Sequence, residues 1–346
     1  MISKQNIKQP SGRYINMIPK QKIKLPSFVG PLLAVLLLSL VLSIVTEQFL
    51  TINNLMNVLR QTSINALISI GMLMPLLTGG IDLSVGAVCA LTGCVMGVLL
   101  KAGITNDAVL ILAGLLTGLC CGTINALLYT KLQLPHPFVS TMGTKMMFRG
   151  LALLITGAAP ISGFSPTILF LGFNNIAKVF PVSFLLVIIV YAIMGVFLNK
   201  TAFGRKIYYV GGNREAARLS GIDVNKTLNF CYILSGAMAG IAGIVLLGRI
   251  SCAFPIAGET FDTDAIASCV VGGASFLGGK GTVSGTLAGA LLISIIRNGL
   301  DLLGAQTDVQ FIVVGAVIIA AVLLDVVRAK ADEKARMLEQ AKALED

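Results

Sequence analysis

The stretch LNFCYILSGAMAGIAGIVLLG at 228–248 establishes the fold class of this chain. Its 21 residues carry no charge, and as a helix they would be about 31 Å long, which matches the hydrocarbon core of a bilayer. Comparable apolar stretches lie at 27–46, 108–128, 183–198 and 309–327, and Asp325 is the single charged residue among them. With 55% hydrophobic and 12% charged residues, the composition predicts an all-α polytopic membrane protein and argues against a soluble enzyme.

The net positive charge of the chain comes from two segments. Residues 1–28 hold six basic residues and no acidic residue, and residues 199–229 hold six basic residues against two acidic ones. Short basic segments remain on the cytoplasmic side during membrane insertion. Both segments are therefore predicted to be cytoplasmic, and the net charge of +10 requires no nucleic-acid partner.

About ten segments are predicted to cross or enter the membrane. Six precede the basic loop at 199–229 and four follow it, so both ends of the chain are predicted to be cytoplasmic. This arrangement gives a basic tail at 1–26, a transmembrane domain at 27–327 and a charged tail at 328–346. The ten segments are 27–46, 63–78, 82–100, 108–130, 138–157, 183–199, 228–248, 265–277, 281–300 and 309–327.

Two of these segments are too short to span a bilayer as straight helices. The segment 63–78 contains Pro75 and ends at Gly79-Gly80, and the segment 265–277 ends at Gly278-Gly279. They are predicted to be re-entrant or broken helices. Because irregular backbone at membrane depth is tolerated where protein or a water-filled cavity satisfies its polar groups, such breaks point to a transport path. The alternative is a proline kink packed between neighbouring helices.

The two glycine pairs belong to an internal repeat with an offset of 199 residues. The offset superimposes Ala66 on Ala265, Ser69 on Ser268 and Gly79-Gly80 on Gly278-Gly279. It also carries the first and fourth predicted spans onto later spans with the same direction. A parallel duplication of about 27–128 and 226–327 is the simplest account, and duplication favours a translocator over a membrane enzyme.

No catalytic or metal-binding constellation is recognisable in the sequence. His136 is the only histidine, and no cluster of carboxylates or cysteines accompanies it. The segment GASFLGGKG at 273–281 departs at two positions from a phosphate-binding loop and lies at predicted membrane depth. The chain is therefore predicted to have no catalytic residue, no metal site and no cofactor of its own.

Asp82 is an ionisable residue at predicted membrane depth, in GGIDLS at 79–84. A charge in this position is costly unless it is paired, hydrated or used to cap a helix. Two interpretations are open: Asp82 caps the helix that follows it, or it lines the transport path. Asp264, which precedes the segment 265–277, has the same two interpretations.

The loop 199–229 contains a short predicted helix. GGNREAARLSGI at 211–222 has the pattern of a turn, an Asn cap, a helix and a Gly stop. A helix of this kind on the cytoplasmic surface, with Ala216, Ala217 and Leu219 as its small and apolar contacts, is suited to insertion into a groove of another protein. The alternative is a solvated connector.

Three long motifs resemble one known family. TGGIDLSVGAV at 78–88, VGGNREAARLSGIDVNK at 210–226 and DAIASCVVGGASFLGGKGTVSGTLAGALL at 264–292 are similar to the ribose-type sugar permeases of bacterial ABC importers. FLTINNLMNVLRQTSINAL at 49–67 and NGLDLLG at 298–304 fit the same family. The resemblance extends over nearly the whole of 28–327.

The resemblance implies a multi-pass translocation subunit of the bacterial cytoplasmic (inner) membrane. Members of this family pair in the membrane, so the resemblance implies a second copy of this chain or a paralogue. It also implies ATPase subunits inside, which bind ATP and Mg, and an extracytoplasmic sugar-binding protein. By the same resemblance, this chain itself is not an enzyme.

The resemblance also implies two groups of site residues. The residues that contact the ATPase would be Gly211, Gly212, Asn213, Arg214, Glu215, Ala216, Ala217, Leu219, Ser220 and Gly221. The translocation path would include Asn65, Gly79, Gly80, Asp82, Ser84, Asp264, Gly278 and Gly279.

The resemblance leaves the transported solute open. A ribose- or allose-like pentose or hexose is the first expectation. Related permeases with this architecture carry nucleosides, autoinducer sugars or branched-chain amino acids. A transporter driven by an ion gradient, with no ATPase, is a further alternative.

Overall fold

The computed structural model describes residues 28–176 and 180–345, and this part of the chain is largely helical. The tail at 1–26 lies outside the described residues. The helices are α1 Val29–Val45, α2 Ile52–Leu77, α3 Val85–Lys101, α4 Asp107–Thr130, α5 Pro137–Thr156, α6 Pro166–Phe173, α7 Val182–Lys200, α8 Ala202–Gly212, α9 Arg214–Leu219, α10 Val224–Ile250, α11 Phe261–Val271, α12 Val283–Leu302 and α13 Thr307–Glu345. Two antiparallel pairs of two-residue strands, β1 Ile161–Ser162 with β4 Cys252–Ala253 and β2 Asn175–Ile176 with β3 Phe180–Pro181, complete the fold.

Among the described residues, five helices are long and apolar enough to cross a membrane: α4, α5, α7, α10 and α12. Helices α10 and α12 are mostly enclosed by the rest of the chain, whereas α4, α5 and α7 expose most of their residues. Exposed apolar helices are stable in lipid, which is as apolar as their side chains. The prediction of an all-α polytopic membrane protein is confirmed.

The helices of the two proposed repeats follow the same order and nearly the same offset. Helix α3 begins at Val85 and α12 at Val283, while α4 begins at Asp107 and α13 at Thr307. Residues that the offset makes equivalent also lie in contact, because a methyl group added to Gly278 would be 2.8 Å from the nitrogen of Gly79. The two glycine pairs therefore meet in the folded chain.

The prediction of a short, broken helix at 63–78 is wrong. Helix α2 is continuous over 26 residues, about 39 Å at 1.5 Å per residue, and Pro75 lies in its last turn. Polar residues in its first half concealed its length in the sequence. Asn54 bonds reciprocally with Asn298 of α12 at 3.0 and 2.8 Å, and Arg60 donates to Asn175 at 2.9 Å. Asn54 and one terminal nitrogen of Arg60 thus have partners on neighbouring segments, so a long helix is compatible with these polar residues.

The prediction of a short helix at 265–277 is confirmed, with different ends. Helix α11 has 11 residues, about 16 Å, which is half the hydrocarbon thickness. It ends at Val271, and the following irregular loop runs from 272 to 282. Helix α13 continues beyond 327, where the predicted span ends, through the charged segment to Glu345.

Candidate functional site

The short helix predicted in the cytoplasmic loop is present as α9. Asn213 lies between α8 and α9, and its side chain accepts a hydrogen bond from the Ala216 N–H at 2.9 Å. Such a cap satisfies one of the free N–H groups of the first helical turn. Gly221 follows the helix with a φ of +79°, a left-handed conformation that glycine adopts without strain. The predicted turn, Asn cap, helix and Gly stop are confirmed.

The three residues predicted as the contact surface of α9 do not all face outward. Leu219 is 74% exposed and Ala216 is also exposed. Ala217 is buried against Val210 and Leu228 of the same chain. Because one helical turn takes 3.6 residues, Ala217 lies on the opposite face from a surface presented by Ala216 and Leu219. Its predicted role as an outward contact is therefore incorrect.

The exposed face of α9 carries an ion pair. Arg218 donates to both carboxylate oxygens of Glu215, at 3.1 and 2.5 Å, and both side chains are about two-thirds exposed. The hydrogen bonds from Arg218 hold the pKa of Glu215 below its ordinary value, so the carboxylate stays ionised at neutral pH. An exposed pair contributes little to stability, and both charges remain accessible to a partner.

The last turn of α8, immediately before α9, lies directly against both glycine-pair loops. A methyl group at Gly211 would overlap the carbonyl oxygen of Leu77, at the end of α2, and would lie 2.7 Å from the nitrogen of Gly279. The Gly279 N–H in turn donates to the Leu77 carbonyl at 2.9 Å. Three chain segments therefore meet here backbone to backbone. We call this contact of Gly211, Leu77 and Gly279 the glycine junction.

Two side chains extend the glycine junction. Arg214, the first residue of α9, donates to the Thr78 carbonyl at 3.0 Å, and the hydroxyl of Tyr208 in α8 donates to the Gly281 carbonyl at 3.0 Å. The structure thus brings Gly79, Gly278 and Gly279, which the resemblance assigned to the path, together with Gly211 and Arg214, assigned to ATPase contact. No pattern in the sequence indicated that the path residues and the ATPase-contact residues touch.

Asp82 and Ser84, assigned to the path by resemblance, lie in a separate buried cluster. One oxygen of Asp82 accepts from the Ser84 N–H at 3.0 Å, the Ser84 hydroxyl at 2.7 Å and Asn125 at 3.3 Å. The other oxygen accepts from the Ser235 hydroxyl at 2.8 Å. Asp82 is fully enclosed, so in this conformation its carboxylate joins α3, α4 and α10 and does not line a cavity. It also does not cap the turn that follows, since the N–H it binds belongs to Ser84, the cap residue itself.

Asn65 and Asp264 line a polar cavity of about 200 Å³. Helices α2, α10, α11, α12 and α13 supply its walls. Five uncharged polar side chains with both donors and acceptors lie around it, together with Arg249, Arg297 and the carboxylate of Asp264. The uncharged polar residues are Gln61, Asn65, Thr260, Ser294 and Gln310. A wall of this composition suits a hydrated solute with several hydroxyl groups.

Asp264 is held in the cavity wall by an ion pair. It lies inside α11, so the prediction that it caps this helix is wrong. Its carboxylate is 2.6 Å from Arg297 of α12, and both side chains are largely buried. Two residues earlier on α11, Asp262 pairs with Lys145 of α5 at 2.6 Å. Helix α11 is therefore fixed between α5 and α12.

Sequence reasoning missed Lys145, Arg149 and Arg297, which lie inside predicted spans. Arg149 donates to the carbonyls of Pro255 and Ala257 at 2.6 and 2.8 Å. Basic residues within apolar helices require buried partners, and the chain offers Asp262 and Asp264 at the start of the short segment. That combination was the available signal, but the pairing itself depends on which helices are neighbours.

These observations define an all-α polytopic membrane protein with a surface helix attached to its internal loops. A family model described as the branched-chain amino acid transport system / permease component matches residues 54–322. The chain belongs to this family of membrane permease components.

Several relatives are similar over most of their length. The chain is 42% identical over 301 residues to the ribose import permease protein RbsC of Bacillus subtilis (strain 168), with 86% of this chain and 92% of the relative covered. It is 42% identical over 284 residues to the D-allose transport system permease protein AlsC of Escherichia coli (strain K12), covering 82% and 86%. It is 37% identical over 319 residues to the galactose/methyl galactoside import permease protein MglC of the same organism, covering 86% and 93%. The comparison with solved structures found no match.

Proposed function

We propose that this chain is the transmembrane permease subunit of an ATP-driven ABC importer for a monosaccharide of the ribose, allose or galactose type. The observation that carries the mechanism is the glycine junction, because it connects an exposed cytoplasmic helix to both internal loops. The names of the relatives support the sugar. The family description supports a branched-chain amino acid as the alternative solute.

The proposed topology places both termini and α9 in the cytoplasm. Helices α1, α2, α3, α4, α5 and α7 precede the basic α8–α9 segment, and α10, α11, α12 and α13 follow it. If the first six cross the membrane, the chain returns to the side from which it started. Arg205, Lys206 and Arg218 in the α8–α9 segment then obey the positive-inside rule.

In the proposed mechanism, an ATPase subunit contacts the exposed face of α9 through Ala216, Leu219 and the Glu215–Arg218 pair. Closure of the ATPase around ATP moves α9. The backbone of Gly211 contacts Leu77 and Gly279 directly, and the Arg214 guanidinium donates to the Thr78 carbonyl. The loops at 78–84 and 272–282 therefore move with α9. Helices α2, α3, α11 and α12, which these loops join, then change their packing and alter access to the path.

The polar cavity lies on the extracytoplasmic side of the proposed topology. It is the proposed route of the solute through this chain. A neutral sugar requires hydrogen-bond donors and acceptors and no counter-charge. Asn65, Gln61 and Gln310 supply both kinds of group. An external binding protein provides selectivity, and a second permease copy or a paralogue completes the membrane unit.

Transport assays test the proposal. The chain is co-expressed with the ATPase and the binding protein of its own system, and the purified complex is reconstituted in proteoliposomes. We expect ATP-dependent accumulation of a labelled monosaccharide that unlabelled ribose, allose or galactose reduces and unlabelled leucine does not. ATP-dependent accumulation of labelled leucine in place of the labelled monosaccharide would indicate that the solute is the amino acid. Uptake driven by an ion gradient in the absence of the ATPase would refute the importer.

A further inference from the structure

Tyr232 of α10 has a buried hydroxyl group that the fold does not satisfy. Its side chain is fully buried, and within the part of the chain that the structure describes this hydroxyl has no hydrogen-bond partner. Leaving a buried donor without a partner costs free energy. The hydroxyl lies so close to Gly80 that a methyl group there would overlap it. Gly80, assigned to the path by resemblance, therefore makes room for Tyr232.

An acceptor for this hydroxyl lies nearby. Asp82 follows Gly80 by two residues, and the Tyr232 hydroxyl lies directly against Gly80. The Asp82 oxygen that faces α10 accepts a bond from Ser235, which is three residues after Tyr232 and hence on the same side of the helix. A carboxylate oxygen has two lone pairs, so this oxygen can accept a second bond after a small shift of the loop.

The loop that carries Gly80 and Asp82 is attached to the cytoplasmic helix. Arg214 of α9 donates to the carbonyl of Thr78 and to the hydroxyl of Tyr129, and its guanidinium lies 5.6 Å from the centre of the Tyr129 ring. The Tyr129 ring in turn packs edge-on against the Tyr232 ring, with centroids 5.9 Å apart. A displacement of α9 therefore acts on both sides of the gap between Asp82 and Tyr232.

We propose that Tyr232 is a positioning residue for transport: in the other state of the transport cycle, its hydroxyl donates a hydrogen bond to Asp82. Arg214 and Tyr129 transmit the movement of α9 to this pair. The hydrogen bond stabilises the second state relative to the state seen here, in which the hydroxyl is unsatisfied. The proposal rests on the importer function proposed above.

The test compares two tyrosines in the complete, reconstituted transporter. Tyr232→Phe removes the unsatisfied hydroxyl and keeps the ring. Tyr191→Phe is the matched control, because the Tyr191 hydroxyl is buried and satisfied, donating to the Ala66 carbonyl at 2.9 Å. Thermal unfolding gives Tm, and uptake at varied concentrations of loaded binding protein gives kcat and KM.

For Tyr232→Phe we expect an unchanged or higher Tm, an unchanged KM and a kcat lower by on the order of tenfold, as for loss of a hydrogen bond to a charged group. For Tyr191→Phe we expect a lower Tm and a kcat per folded complex close to that of the unmodified chain. A normal kcat in Tyr232→Phe would overturn the proposal. A drop in Tm equal to that of Tyr191→Phe would overturn it as well, since the hydroxyl would then be bonded in the resting state.

A double-mutant cycle with Asp82→Asn identifies the acceptor. In that background Tyr232→Phe should cause little further loss of kcat, whereas a full tenfold loss would exclude Asp82 as the partner. If Asp82→Asn fails to insert, the two phenylalanine variants decide the question alone. If the unmodified complex hydrolyses ATP in response to the binding protein and yet accumulates no sugar, that result refutes the proposed substrate. The comparison of Tyr232→Phe with Tyr191→Phe would then use the ATP hydrolysis rate.

Discussion

The glycine junction is formed by backbone contacts, whereas the polar cavity is lined by side chains. At the junction, Gly211, Leu77 and Gly279 contact through backbone atoms, so neighbouring segments have no side chain that can rotate to absorb a displacement. In the cavity, long side chains such as Arg297, Gln61 and Gln310 form the walls and can change rotamer. Backbone contacts are suited to transmitting movement, and adjustable polar side chains are suited to a solute that must bind weakly and leave.

Substitution of Gly211 should have the strongest effect on the junction. In Gly211→Ala the new methyl group overlaps the Leu77 carbonyl, and we expect ATP-driven uptake to fall by at least about tenfold, with a stability loss of about 1–3 kcal/mol from overpacking. Gly212→Ala is the control, because the described structure leaves open space within 4 Å of a methyl group there. Equal uptake by the two variants, measured in proteoliposomes, would contradict a close backbone contact.

Removal of one charge from the cavity wall tests the other region. Arg297→Met leaves Asp264 buried without its partner, and we expect a loss of about 3–5 kcal/mol in the free energy of unfolding. Arg218→Met breaks the exposed pair with Glu215 and should lower the free energy of unfolding far less than Arg297→Met does, because solvent screens exposed charges. Thermal unfolding in one detergent compares the two, and similar losses would mean that the Arg297–Asp264 pair is hydrated rather than buried.

Charge reversal on α9 should separate coupling from stability. In Glu215→Arg we expect normal insertion, a Tm close to that of the unmodified chain because the pair with Arg218 is exposed, and ATP hydrolysis that no longer drives uptake. Parallel assays of ATP hydrolysis and solute uptake measure the ratio of solute taken up to ATP hydrolysed. Normal coupling in this variant would remove α9 from the mechanism.

The same pair gives a pH prediction with a defined sign. Arg218 lowers the pKa of Glu215 in the folded chain, so the stabilisation is complete above the ordinary glutamate pKa. It is lost only as the pH falls through the lowered value. Between about pH 6 and 8, which is well above the ordinary glutamate pKa of about 4.3, coupling should not vary on account of Glu215. A change in the ratio of uptake to hydrolysis within that range, absent from Glu215→Gln, would refute this.

Cysteine labelling should locate the two regions on opposite sides of the membrane. Asn213→Cys marks the junction and Glu259→Cys marks the cavity side, and both positions are exposed. In a background without the native cysteines, an impermeant thiol reagent added outside should label position 259 and leave position 213 unlabelled. The reverse pattern would invert the proposed topology.

Sequence patterns predicted the local features of both regions. The Asn213 cap and the Gly221 stop defined α9 because capping depends on a few adjacent residues. The short α11 was predicted because the segment 265–277, which ends at Gly278-Gly279, is too short to span a bilayer. By contrast, the length of α2 was misjudged, since Asn54 and Arg60 appear unfavourable in lipid until their partners on other segments are known. One interpretation of Asp264 was a helix cap for the same reason, since its partner Arg297 lies on another helix.

Composition and periodicity by themselves determined that this chain is an apolar helical membrane protein, and they predicted a cytoplasmic side for its basic loop, because hydrophobicity and charge act residue by residue during insertion. Only the tertiary structure decided that Gly211 touches both glycine-pair loops, that Asp82 is enclosed with Ser84, Asn125 and Ser235, and that Tyr232 has an unsatisfied hydroxyl beside them. Contacts between residues far apart in the chain depend on which helices are neighbours, and packing of whole helix faces sets that arrangement.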